Sequence, residues 1–128
     1  NNHVSSISSL PSVRKFLIGR QRKFAKLENA IMEGRDIGTE VFPNADIKIY
    51  LTASIESRAY RRYYEFQKKG RKISLDKIMD KIRKRDQNDM QRKHSPLRIA
   101  KDAIVLDTTG MSLEEQVDQI IKLIEQKA

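Results

Sequence analysis

Ile78 and Ile82 lie one helical turn apart, and their stripe, continued in steps of three and four, runs through Arg85, Asp89 and Arg92. An apolar face thus becomes ionic without changing direction. Charges on a core-facing line are costly unless each is paired or liganded. Two kinds of arrangement fit the pattern. One is structural, either a solvated helix end or an ion-pair ladder with Arg85 and Asp89 at i, i+4. The other is a pocket wall, because guanidinium forks suit phosphate oxygens and a carboxylate suits sugar hydroxyls.

Two further constellations carry charge where it could act. Gly34-Arg35-Asp36 follows the short apolar run 29–33, which reads as a buried strand. In open parallel sheets, ligands bind beyond the carboxyl ends of strands, so an Arg-Asp pair there could read a base or a phosphate; an ordinary charged turn would look the same. Arg58, Arg61 and Arg62 share one side of the helix expected after Ser54. They form either a solvated basic face or a lid that closes over phosphates. Tyr60, Tyr63, Tyr64 and Phe66 stand among them and serve either helix packing or base stacking. His3 and His94 are isolated, so neither a metal site nor a histidine base is indicated. No Ser-His-Asp, paired-carboxylate or H-E-x-x-H arrangement is present.

The elements that must position these residues follow from periodicity and punctuation. Ser9-Leu10-Pro11 reads as a helix start, with Val13, Leu17, Phe24 and Leu27 roughly on one face. Residues 37–44 read as a loop. Asp46 to Ala53 alternates as a strand. A helix runs from Ser54 to Lys69 with Gly70 just past its end, and another from Ser74 to about Arg92. Residues 103–106 form a short apolar strand, and Ser112 to Glu115 is a capping box that opens a final helix. Three strands alternating with helices predict an α/β fold, a parallel sheet flanked by helices.

The chain has 128 residues, 38% of them apolar, with no Cys and no Trp. The core is lean for that length. Disulfides and thiolate metal sites are excluded, which is compatible with the expected cytoplasmic location. No apolar run is long enough for a transmembrane helix. The net charge is +9 and it is localised: between Glu56 and Lys101, sixteen Lys or Arg stand against six Asp or Glu. Such a zone attracts anions, either nucleic acid or a nucleotide phosphate.

Taken in order, these segments resemble the cytidylate kinase family. The resemblance is carried by Gly34-Arg35-Asp36-Ile37-Gly38-Thr39 with Val41-Phe42-Pro43-Asn44-Ala45, and by Leu51-Thr52-Ala53-Ser54 with Arg58-Ala59 and Arg61-Arg62. Arg85-Asp86 with Asp89 and Arg92 follows. Ser95-Pro96-Leu97, Ala100, Asp102-Ala103 and Leu106-Asp107-Thr108-Thr109 complete it. It implies a P-loop nucleoside-monophosphate-kinase fold. Residues 1–28 would end the monophosphate-binding region, about 55–75 would form the lid, and the remainder would be core. It implies transfer of the γ-phosphoryl group of ATP to CMP or dCMP, with Mg²⁺ accompanying ATP. A monomer is expected, with no nucleic-acid or membrane partner.

The same resemblance assigns roles. Ser5, Arg14 and Asp36 would read cytosine. Asp89 with Arg85 would contact the sugar, and Arg35 and Arg92 would hold the acceptor phosphate. Arg58, Arg61 and Arg62 would meet ATP phosphates, Arg62 joining Arg35 and Arg92 as a catalytic charge, and residues 107–110 would lie near adenine. No metal ligand is assigned to this chain.

There are departures: Lys93-His94 and Glu40 replace smaller or apolar residues, and G-x-x-x-x-G-K-[ST] occurs nowhere in the sequence. The chain by itself is therefore expected to be inactive. The alternatives are another P-loop kinase acting on UMP and CMP or on dephospho-coenzyme A, a non-catalytic remnant of a kinase, or a basic nucleic-acid-binding module.

Overall fold

A proline at the first helical position costs no hydrogen bond, and Pro11 opens helix α1 (Pro11–Phe24) in this way. Leu10 occupies the N-cap without a side-chain bond; Ser9, expected there, lies outside the described residues. The computed structural model describes residues 7, 10–25 and 29–127. After α1 come a π-helical turn (Ile37–Val41), strand β1 (Ile49–Thr52), α2 (Ile55–Lys68), α3 (Leu75–Gln91), β2 (Ile104–Asp107) and α4 (Leu113–Glu125). The chain divides into two compact units: 1–45 with 88–101, and 46–87 with 102–128.

In the second unit β1 and β2 pair in parallel, from Ile49 opposite Ile104 to Thr52 opposite Asp107. The ladder continues through Ile104 N–H to the Lys48 carbonyl (2.9 Å) and Thr108 N–H to the Thr52 carbonyl (2.8 Å). Helices flank this pair in sequence, as the parallel connection requires. The Ser54 hydroxyl accepts from Ser57 N–H at 3.1 Å and caps α2. At the other end Gly70 takes a φ of +67°. There Arg71 N–H reaches the Phe66 carbonyl and Gly70 N–H reaches that of Gln67, both at 2.9 Å. This paired closure uses the left-handed conformation that glycine adopts without steric cost.

Among the described residues the sheet has two strands, not the expected three. The run 29–33 takes no regular secondary structure and joins no ladder, and Ile31 is 97% exposed. An apolar run becomes a buried strand only when a neighbouring strand accepts its backbone groups and a layer covers its side chains. Among the described residues neither stands beside it. The buried apolar side chains among the described residues are few: Val41 in the first unit, Ala59 and Ile78 in the second. No helix among the described residues is long and apolar enough to cross a membrane.

The capping box of α4 is closed in both directions. Glu115 N–H donates to the Ser112 hydroxyl at 3.1 Å, and Ser112 N–H donates to the Glu115 carboxylate at 2.7 Å. The Ser112 N–H, followed by its hydroxyl, holds the Glu115 carboxyl below its ordinary value. A carboxyl lowered by folding stabilises the protein above its unfolded pKa, and that contribution is lost as pH falls through the folded one. The gap in thermal midpoint between the chain and Glu115→Gln is therefore expected near neutrality and should close as pH falls below the carboxylate range. A gap independent of pH would contradict this.

Candidate functional site

The first unit buries charge more than hydrocarbon. Among the described residues, Asp36 is 3% exposed and Asp89 is 8% exposed, and Val41 is the single buried apolar residue of the unit. Each carboxylate faces an arginine. Arg14, on α1, bonds the Asp36 carboxylate through Nη2. Arg35 Nε lies 3.1 Å from Asp89 Oδ2. Buried ion pairs contribute little net stability, since desolvation offsets their attraction. Of the two, Arg14–Asp36 is the enclosed pair, with side chains 16% and 4% exposed, whereas Arg35 keeps 40% of its side chain exposed beside the buried Asp89.

Local chain geometry sets these pairs. A Cβ on Gly34 would fall 2.7 Å from Ile37 Cγ1, so the tight approach at the turn requires glycine. The Asp36 carbonyl then gathers three amides, those of Thr39 (3.3 Å), Glu40 (2.9 Å) and Val41 (3.2 Å), while Phe42 N–H returns to the Ile37 carbonyl at 2.7 Å. This π-helical turn, rather than the end of a buried strand, fixes the direction of Arg35 and Asp36. On α3, Asp89 sits in the last turn, and its carbonyl accepts Leu97 N–H at 2.7 Å. Arg92 follows immediately; its Nε donates to the Ser95 carbonyl. Ser95 has a φ of 50°, the reversal that folds 93–97 back toward the helix end.

Arg35 and Arg92 are therefore both tethered through Nε. A guanidinium held in this way keeps its fork for an anion and loses less freedom when it binds one. The stripe read from the sequence is partly kept. Ile78 and Asp89 are buried and Ile82 is half-buried, but Arg85 is exposed. Asp89 meets Arg35, a contact across 54 positions of sequence that helical spacing could not reveal. Ser5 lies outside the described residues.

The arginines of α2 belong to the second unit, each with its own contact. Arg58 pairs with Asp86 at 2.7 Å. Arg61 donates to the Thr108 carbonyl (2.5 Å) and hydroxyl (3.3 Å). Arg62 lies over the Phe66 ring, 5.6 Å from its centre. The loop after β2 is bound to the start of α2. Ser54 N–H donates to the Thr109 hydroxyl (2.9 Å), and Thr109 in turn bonds the Asp107 carboxylate through its own hydroxyl (2.7 Å) and amide (2.9 Å). These bonds, the hydroxyl foremost, lower the Asp107 carboxyl below its ordinary value. An open hollow of about 670 Å³ adjoins Tyr60, Tyr63, Lys72 and Leu75, apart from all these arginines. No group of three or more His, Asp or Glu side chains able to hold a metal gathers among the described residues.

The sequence pattern of one family, cytidylate kinase, matches residues 1–126. The chain belongs to the cytidylate kinase family. It is 50% identical over 124 residues to a cytidylate kinase of Acholeplasma laidlawii, covering 97% of this chain and 56% of that protein. To the cytidylate kinase of Caldicellulosiruptor bescii it is 47% identical over 121 residues, covering 94% and 54%. To that of Listeria monocytogenes it is 49% identical over 126 residues, covering 98% and 56%. The chain thus spans just over half the length of these relatives. The parallel sheet with flanking helices is what a P-loop monophosphate kinase of this family requires. One residue that shapes the site has no signature in the sequence. Arg22 of α1 bonds backbone carbonyls at Glu40 and Val41, and a guanidinium bound to main chain leaves no partner residue type to search for.

Proposed function

We propose that a kinase carrying this chain transfers the γ-phosphoryl group of ATP to CMP or dCMP. In it, these 128 residues supply the grip on the acceptor nucleotide and the lid arginines. The observation that supports this best is the pair of Arg–Asp contacts within one compact unit, Arg14 with Asp36 and Arg35 with Asp89, each made to a buried carboxylate. Cytosine presents an amino donor beside two acceptors. A carboxylate next to a guanidinium complements that edge, whereas uracil would set a carbonyl oxygen against the Asp36 carboxylate. Ser5 joins Arg14 and Asp36 in this reading of the base. Asp89 with Arg85 takes the sugar hydroxyls, and Arg35 and Arg92 hold the acceptor phosphate.

With the acceptor held, one of its phosphate oxygens attacks the γ-phosphorus in line. The new P–O bond forms as the bond to the β,γ-bridging oxygen breaks, and ADP leaves with that electron pair. The chain's residues do no covalent chemistry. They orient the acceptor and neutralise charge, Arg35 and Arg92 on the acceptor side and Arg58, Arg61 and Arg62 on the ATP side. Mg²⁺ accompanies ATP and neutralises its phosphates. The chain by itself turns over no substrate, since its sequence holds no Walker loop.

Calorimetric titration of the chain with CMP, dCMP, UMP and AMP tests the assignment. CMP and dCMP should bind, and UMP should bind about ten-fold more weakly or worse, the scale of discrimination by a site built to hydrogen-bond one edge. Equal affinity for all four nucleotides would remove Asp36 from base reading.

A further inference from the structure

We propose that Arg22 is a positioning residue for base selection, acting through the turn that carries Asp36. The inference rests on the base-reading role given to Asp36 above. Helix α1 reaches residues 36–41 twice. Arg14 takes the Asp36 carboxylate at the start of the segment. Two turns later Arg22 takes its end, with Nε 2.8 Å from the Val41 carbonyl and Nη2 2.7 Å from the Glu40 carbonyl. The amides of Glu40 and Val41 bond the Asp36 carbonyl, so the residues whose carbonyls Arg22 holds also hold Asp36. A fork on two consecutive carbonyls fixes both the position and the tilt of the turn; a lysine could fix one point.

The consequence is geometric. Arg14 and Arg22 are anchored in one helix, so the turn is clamped against that helix at both ends. Releasing the far end lets Asp36 shift relative to Arg14, and the two groups then no longer match one base edge. A displacement of about 1 Å at such a site costs on the order of 100-fold in a reaction that depends on alignment. The loss should fall on the choice of base. It should spare affinity for a bare anion, because the Arg22 fork is spent on the Glu40 and Val41 carbonyls and the acceptor phosphate is assigned to Arg35 and Arg92.

Two measurements on the chain test this. In hydrogen exchange, Arg22→Gln should accelerate the amides of Thr39, Glu40 and Val41 about ten-fold while those of α3 keep their protection. In titrations, the CMP-to-UMP affinity ratio should fall about ten-fold, the scale of one or two charge-assisted hydrogen bonds. Affinity for inorganic phosphate should stay constant, and Arg22→Lys should recover part of both effects. Unchanged exchange at 39–41 overturns the proposal, and so does a uniform loss for CMP, UMP and phosphate. Loss of fold in both variants would make Arg22 purely structural and also overturn it. An unsubstituted chain that binds CMP no better than UMP would instead remove the base-reading role itself, a result separate from whether Arg22 holds the turn.

Discussion

Arg92→Ala, placed in an active kinase carrying this chain, is expected to lower kcat/KM for CMP about 10³-fold, the scale of an arginine that stabilises phosphoryl transfer. The fold should survive. Arg92 stands just past α3, half-exposed, and its backbone N–H still reaches the Asn88 carbonyl at 3.0 Å in the variant. What is lost is the fork, which the Ser95 carbonyl holds by Nε alone. Arg92→Lys should recover only part of the rate, because a point charge does not replace two parallel donors. Steady-state kinetics alongside a thermal melt make the check. Unchanged kinetics, or a fall in rate that tracks a fall in melting temperature, would take Arg92 out of the site.

Asp36→Ala should be the most destabilising change among the buried charges. It leaves the Arg14 guanidinium, whose side chain is only 16% exposed, without the carboxylate that it faces. Breaking a buried pair from one side costs about 3–5 kcal/mol. Removing both partners is different in kind, since no charge is then stranded. Arg14→Ala with Asp36→Ala should therefore be more stable than Asp36→Ala alone, the opposite of additive behaviour. Denaturant unfolding of the two single variants and the double variant gives the coupling directly. Additive losses would mean that the pair is solvated and that its burial does not govern its energetics.

How far these features could be read from the sequence depends on the range of the interaction behind each one. Local rules were sufficient for α2, where Ser54 caps and Gly70 closes, and for α4, where the Ser112–Glu115 box stands as expected. Each is settled within six residues. The run 29–33 failed because a strand is a relation between segments: its apolar residues match a buried strand, yet nothing described pairs with it. Arg35, Asp36, Asp89 and Arg92 stood out in the sequence as residues that could do chemistry, while Arg14 was marked only by the family resemblance. Their pairing was not legible, because Arg14–Asp36 and Arg35–Asp89 join positions 22 and 54 apart. Arg85 shows the limit of helical periodicity: it lies on the stripe of Ile78 and Ile82 yet faces solvent.

The two-strand ladder has a further consequence for handling the isolated chain. Among the described residues β1 and β2 pair only with each other, so each presents a row of backbone donors and acceptors on its outer side. Leu51 and Val105 leave apolar surface open next to those rows, each about half exposed. Parallel pairs in most proteins are sealed by further strands and by covering layers, and an unsealed rim templates the addition of another chain. In concentrated solution the outer sides of β1 and β2 are therefore where self-association should begin, and a peptide that lies down along either rim should suppress it.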